Sequence, residues 1–258
     1  MQWMTIDSMN NSVAIIGGSG FYHWPLLKAV SKTTLSKYAN EPLSVELGRI
    51  ADRPVSFLAR HGKNHSIPPH KINYRANIDA LSQLGIKHII AVNAVGGINI
   101  NMAPGSIVIP DQIIDYTWGR EHTFFDEFNG ELDHIDFTSP LESPFRDRVA
   151  QFADNSDAIH CGGTYACVQG PRLETAAEIR KLARDGCDLV GMTMMPEAAL
   201  AREKGISYMS ICLVCNWAAG MSIDKRALVP ISIDEMKSVL EEGLTKVQQL
   251  LQYTLTSN

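Results

Sequence analysis

Arg60 and His61 stand side by side in the segment ARHGKNHSIPPHKINYRANI, residues 59–78, and His65 and His70 follow closely. A guanidinium is a planar fork of N–H donors that suits a tetrahedral oxyanion, and an imidazole beside it completes such a site. Taken alone, Arg60 reads as half of a surface ion pair. The three histidines raise a second possibility, because H-x-x-x-H can place two metal ligands on one helical face. Pro68 and Pro69 interrupt any helix there, and no acidic residue lies between His61 and His70. Anion binding is therefore favoured over a metal site.

Further polar groups follow short apolar runs. Ser19 in GGSG offers a hydroxyl, Asn93 and Ala94 offer a side-chain amide and a backbone donor, and Thr193 adds a hydroxyl after VGM. Glycines let backbone N–H groups approach an anion closely. The same glycines serve a tight turn that needs only small residues. A dinucleotide fingerprint, G-x-G-x-x-G, would require glycine where His23 stands, so a dehydrogenase reading loses its main support.

These groups need elements to hold them. The runs SVAII (12–16), HIIAVNA (88–94), DLVGM (188–192) and SYMSICLVCN (207–216) are β-branched or apolar and end in turns, which predicts buried strands. Apolar spacing predicts a helix over 71–84, closed by Gly85, and another over 171–185, with Pro171 in its first turn and Gly186 after it. A last helix begins at the capping box formed by Ser232 and Glu235. The alternation predicts an α/β fold: a mixed, mostly parallel central sheet with helices on both faces. No linker or repeat interrupts residues 1–258, which reads as a single domain. Ligands in such folds gather at the carboxyl ends of strands, here Gly18–Gly20, Arg60–His61, Asn93–Ala94, Met192–Thr193 and Asn216.

Composition narrows the ligand. The net charge of −5, with no basic run, gives no footprint for nucleic acid. No apolar stretch is long enough to span a bilayer, and the first twelve residues lack a basic start followed by an apolar core, so a cytoplasmic protein is expected. Five scattered cysteines do not suggest a disulfide framework. Cys212 and Cys215 form a C-x-x-C inside an apolar run, which favours buried thiols over a redox pair.

The segments IIGGSGF, LARHGKNHSIPPHKINYRANIDAL, NAVGGIN, VQGPRLETAAEIR and VGMTMMPEAALAREKGI occur in an order and spacing that resemble the methylthioadenosine phosphorylase branch of the purine nucleoside phosphorylases. The resemblance implies the nucleoside phosphorylase fold and attack of inorganic phosphate, a co-substrate, on C1′ of a purine nucleoside, with no cofactor and no metal. It implies a homotrimer, or a dimer of trimers, with sites at subunit boundaries. It puts Ser19, Arg60, His61, Asn93, Ala94 and Thr193 around phosphate, and Met192 beneath the ribose. Ser19 and Asn93 stand where adenosine-type members carry threonine; both keep a hydrogen-bond donor. His134, in LDHIDF, is similar to a histidine that reaches into a neighbouring subunit's site. His65 and His70 then need no catalytic role.

The base-reading positions depart from the adenosine type. Asn216 and Ala218 stand where that type has two aspartates, flanking Trp217, and Glu174, after Leu173 in GPRLET, matches the glutamate of the inosine- and guanosine-cleaving branch. Asn216 can donate to O6 and accept from N7–H of a 6-oxopurine, and a carboxylate at Glu174 can accept its N1–H. Read without the resemblance, Asn216 caps a turn and Glu174 is a first-turn helix acid. His61 and Asn216 are the catalytic candidates; Leu173, Glu174, Met192, Asn216, Trp217, Ala218 and His134 are the substrate-binding ones. The inosine-cleaving branch uses a late histidine for the 5′-hydroxyl, and this chain has none after His160. An apolar pocket near Trp217 and Met221 would suit a 5′-methylthio group. The expected substrate is a 6-oxopurine 5′-methylthionucleoside, with inosine, guanosine and methylthioadenosine as alternatives.

Overall fold

The computed structural model describes residues 13–18, 30–34, 36–50, 53–62, 64–127, 134–153, 156, 158–222 and 230–256. Its strands are β1 (Val13–Gly17), β2 (Val30–Thr34), β3 (Leu43–Ile50), β4 (Arg53–Ala59), β5 (His88–Gly97), β6 (Ile107–Ile109), β7 (Gln112–Asp115), β8 (Ile159–Cys161), β9 (Thr164–Cys167), β10 (Leu189–Gly191) and β11 (Ser207–Trp217). The helices are α1 (Tyr74–Gln83), α2 (Arg146–Ala153), α3 (Ala176–Arg184), α4 (Met194–Glu203) and α5 (Ile233–Thr256).

All the strands join one mixed sheet. One path runs β2-β3-β4-β1-β5-β10-β9-β7, and β11, β6 and β8 extend from the other edge of β5. Parallel pairs outnumber antiparallel ones, in line with the expected architecture. Alternate side chains separate into two cores, as the two-residue period of a strand requires. Ala14 and Ile16 of β1 pack in one with Ile78 and Leu81 of α1 and Ala198 and Leu200 of α4. Val13 and Ile15 pack in the other with Val149 of α2 and Val247 and Leu251 of α5. Helices thus cover both faces, and a strand buried on both reads as an unbroken apolar run.

The same alternation disposes of the C-x-x-C. Cys212 packs in the first core and Cys215 in the second, on opposite faces of β11, so the two thiols cannot meet. Burial pushes them up to about 12 and about 11 respectively, the opposite of an activated thiol.

Strand β5 organises the middle of the sheet. On one edge it pairs with β1 over His88–Ala91 and with β10 over Gly96–Gly97. Between them Val92–Val95 has no strand partner on that edge among the described residues. The glycines suit this crowded stretch: a Cβ on Gly96 would lie 3.1 Å from Val190 of β10, and one on Gly97 2.6 Å from the carbonyl oxygen of Met102 in the following loop. Only residues without side chains allow that approach.

The expected helix over 171–185 starts later than its sequence suggested. Thr175 is the N-cap of α3: its hydroxyl accepts from the Glu178 N–H at 3.1 Å, and the Glu178 carboxylate accepts from the Thr175 N–H at 2.7 Å. This reciprocal box fixes the start and leaves residues 171–175 outside the helix. The helix expected over 71–84 is α1, capped by Asn73, with Pro69–Lys71 forming a separate 3₁₀ turn before it. Ser232 accepts from the Glu235 N–H at 3.2 Å at the start of α5, as expected.

Candidate active site

The unpartnered stretch of β5 opens into a cavity of about 640 Å³. Gly18 after β1, Arg60 and His61 after β4, Asn93 and Ala94 in β5, and Asn216 in β11 line it, as do Met192 and Thr193. The last two arrive for a topological reason. Because β10 runs antiparallel to β5, the chain leaving it at Gly191 heads back towards Asn93, and the Thr193 hydroxyl donates to Asn93 Oδ1 at 2.8 Å. A bulge in β11, where Val214 pairs with Val95 and Asn216 with Gly96, breaks the alternation just before Asn216 and bends the strand there.

Arg60 differs from the expectation of a fork open to an oxyanion. It is buried, and its Nε and Nη2 donate to the two Glu197 carboxylate oxygens at 2.8 and 2.7 Å. Its Nη1 donates to the Val92 carbonyl at 3.0 Å. Glu197, in α4 and fully enclosed, also accepts from the Tyr208 hydroxyl at 2.8 Å. A guanidinium has five N–H donors, three of which are used here, so about two remain for the cavity. Burial alone would lower the Arg60 pKa; the attraction and hydrogen bonds of Glu197 outweigh it and hold the guanidinium above its ordinary value. The ion pair is real but internal, and neither Glu197 nor Tyr208 was anticipated.

His61 has a defined tautomer. Its Nδ1 lies 2.8 Å from the Ile67 carbonyl oxygen, which can only accept, so Nδ1 carries the proton and a neutral ring leaves Nε2 as an acceptor. Burial pushes the ring down to about 4, helped by the positive charges of Arg60 and His65, with the Ile67 bond opposing. His65 also lines the cavity, whereas His70 does not; its Nδ1 is buried with no hydrogen-bond partner.

Asn93 is held from both sides. Its Nδ2 donates to Ser210 Oγ at 2.7 Å while its Oδ1 accepts from Thr193, and all three residues are buried. Ser210 was not anticipated; its partner lies 117 positions away in the chain.

Leu173 and Glu174 also line the cavity. Glu174 precedes the Thr175 N-cap, so it is not the first-turn acid of α3; Glu178 is. Burial raises the Glu174 pKa, and the Glu178 charge adds to the rise. Asn216 donates through Nδ2 to the Trp217 carbonyl at 2.6 Å, so the amide holds its own turn and still has an N–H and Oδ1 to offer.

Some expected residues are elsewhere. Ala218 is buried beside Gly96 and Val190 in a third core and Trp217 packs near Gly97, so neither lines the cavity. Met221 packs against that third core rather than forming a 5′ pocket. Ile67, Pro68, Pro69 and Met236 of α5, none of them anticipated, contribute to the apolar lining together with Val92, Val95, Leu173 and Met192. His134 is exposed and outside the cavity of its own chain. Ser19 lies outside the described residues. Among the described residues no group of three or more His, Cys, Asp or Glu could hold a metal ion, and no helix is long and apolar enough to cross a membrane.

The family model described as the phosphorylase superfamily matches residues 12–256. A probable S-methyl-5′-thioinosine phosphorylase from Xanthomonas campestris is 48% identical over 217 residues, covering 83% of this chain and 87% of the relative. A 6-oxopurine nucleoside phosphorylase from Pyrococcus furiosus is 46% identical over 241 residues, covering 91% and 89%. The structure of methylthioadenosine phosphorylase from Schistosoma mansoni in complex with adenine superposes with a TM-score of 0.85 at 32% identity, over 95% of this chain and 91% of that one.

Proposed function

The chain belongs to the phosphorylase superfamily, and from that premise we propose that it is an S-methyl-5′-thioinosine phosphorylase, converting S-methyl-5′-thioinosine and phosphate to hypoxanthine and 5-methylthioribose 1-phosphate. The observation that carries this reading is the presence of Glu174 and Asn216 in the wall of the cavity that also holds Arg60, His61, Asn93 and Thr193.

Catalysis rests on positioning and electrostatics, without a covalent nucleophile, metal or cofactor. Phosphate meets the remaining Arg60 N–H donors, the Thr193 hydroxyl, the Asn93–Ala94 backbone and Ser19. Neutral His61 offers Nε2 to the proton of monohydrogen phosphate. The bound anion stabilises the oxocarbenium character that develops at C1′ as the N9 bond breaks, and then captures it. The departing base gains at N7, in net terms, the proton that monohydrogen phosphate gives up on forming the sugar ester; Asn216 Oδ1 accepts from that N7–H, and Glu174 accepts from N1–H. An N1–H donor meets the half-buried carboxylate's need for a partner; the bare N1 of adenine does not.

The 5′-methylthio assignment draws on the apolar contribution of Ile67, Pro68, Pro69 and Met236, and on the lack of any histidine after His160. A second reading, inosine or guanosine phosphorolysis, keeps the same base chemistry and is favoured by the likeness to the 6-oxopurine enzyme. We further read the protein as a cytoplasmic purine-salvage enzyme that works as a homotrimer or a dimer of trimers. Trp118, 72% exposed, supports an oligomer, since it lines a smaller cavity that shares Glu174 with the site. His134 would then serve a neighbouring copy.

The test is purine release from methylthioinosine, methylthioadenosine, inosine and guanosine, each with and without inorganic phosphate. Phosphate-dependent release fastest from methylthioinosine is expected. Fastest release from inosine or guanosine would overturn the 5′ assignment alone, and fastest release from methylthioadenosine the base assignment.

A further inference from the structure

Next to Thr193 lies a chain of polar groups whose hydrogen bonds can run in either direction. As oriented, the Thr193 hydroxyl donates to Asn93 Oδ1 at 2.8 Å, Asn93 Nδ2 donates to Ser210 Oγ at 2.7 Å, and Ser210 Oγ lies 3.3 Å from Cys212 Sγ, where either atom can be the donor. Ser210 is fully enclosed, and Asn93 and Thr193 are nearly so. In this direction Thr193 has spent its only proton on Asn93 and presents lone pairs to the cavity, the wrong polarity for an anionic oxygen.

An amide is nearly symmetric in shape, so rotating the Asn93 amide by half a turn exchanges Oδ1 and Nδ2 at the same two contacts. Asn93 Nδ2 then donates to Thr193, Ser210 donates to Asn93 Oδ1, and Cys212 donates to Ser210. The Thr193 proton is released for the anion. Every contact is kept in both directions, no proton changes owner, and Ser210 works in both because a hydroxyl can donate and accept at once. Burial keeps the Cys212 thiol protonated, which lets it serve as donor at the far end.

We infer that Ser210 is a positioning residue for phosphate: of the two directions open to the Thr193–Asn93–Ser210–Cys212 chain, the bound anion selects the one in which Ser210 donates to Asn93 and the Thr193 hydroxyl is left to donate to the oxyanion. The inference rests on the phosphorolytic reading of the site. It assigns work to a side chain that does not line the cavity.

The test is steady-state kinetics of the wild type, Ser210→Ala and Ser210→Thr, with phosphate and nucleoside varied separately and Tm recorded for each. Loss of the Ser210 hydroxyl leaves the Asn93 amide unanchored on that side in either direction, so Thr193 and Asn93 are no longer held in place for the oxyanion and KM for phosphate should rise about tenfold. KM for the nucleoside should stay within about twofold, and the threonine variant, which retains the hydroxyl, should restore phosphate affinity. An unchanged phosphate KM in Ser210→Ala, or an equal rise in both constants, overturns the inference. Should Ser210→Ala fail to fold, Ser210→Cys replaces it: its weaker donor must raise the phosphate KM without moving the nucleoside KM, and an unchanged phosphate KM overturns the inference there too. Base release by the wild type that is independent of phosphate would instead overturn the phosphorolytic reading, which separates the two failures.

Discussion

Arg60 and Glu197, 137 positions apart in the chain, meet through two hydrogen bonds of 2.8 and 2.7 Å in an interior that leaves their side chains 1% and 0% exposed. The pair joins the end of β4 to α4, and the Glu197 carboxylate also accepts from Tyr208. A buried pair contributes little over an apolar one, but removing one partner strands a charge in the interior. Glu197→Ala should therefore destabilise the protein by about 3–5 kcal/mol, read from urea unfolding at neutral pH. Glu197→Gln, which retains an oxygen acceptor, should cost less. A stable Glu197→Ala variant with unaltered phosphate affinity would mean that Arg60 is held by something else.

The His61 ring makes a prediction about acid. Its folded pKa is about 4, below the ordinary 6.5, so between those values the unfolded chain binds more protons than the folded one. The sign follows: the contribution of His61 is unchanged above about 6.5 and becomes destabilising as pH falls towards 4. His61→Asn cannot take up that proton and should flatten part of the fall in stability over this window. Parallel unfolding curves for the two proteins between pH 6.5 and 4 would show that burial does not hold the ring neutral.

The strand ends were legible because β1, β5 and β11 are buried on both faces and so read as continuous apolar runs ending in turns. The short strands β6, β8 and β10 have three residues each, too few for a period to emerge alone; β10 was seen only because a turn signal and a helix follow it. The groups that hold the site were not legible. Glu197 and Ser210 matter through partners 137 and 117 positions away, and Tyr208 through its bond to Glu197, so nothing local marks them. The bulge before Asn216 was equally invisible, and with it the separation of Asn216, in the cavity, from Ala218, in the third core. The helix expected from Pro171 begins only after Thr175, where a capping box satisfies two backbone N–H donors at once.

The cysteines give a direct check on the packing. Cys161 is exposed, whereas Cys167, Cys187, Cys212 and Cys215 are buried, and burial raises all four of those thiols. A thiol reagent at neutral pH should modify Cys161 in the native protein and reach the others only on unfolding. Rapid native modification of Cys212 or Cys215, or a disulfide between them by mass spectrometry, would contradict their placement on opposite faces of β11.

Base selectivity should respond to two side chains and to pH. Glu174→Ser with Asn216→Asp should shift preference from 6-oxopurine towards 6-aminopurine nucleosides, by about tenfold or more in the ratio of kcat/KM values. Burial holds the Glu174 pKa above its ordinary value, so protonation begins at higher pH than for an exposed glutamate. Above that pKa the carboxylate accepts from N1–H and opposes the bare N1 of adenine. Below it the protonated group can donate to that lone pair, so the preference for methylthioinosine over methylthioadenosine should shrink as pH falls. Measuring both kcat/KM values from neutral pH downward checks this, with Glu174→Gln as the control that cannot titrate. A pH-independent ratio in the wild type, or the same slope in Glu174→Gln, would remove Glu174 from base recognition.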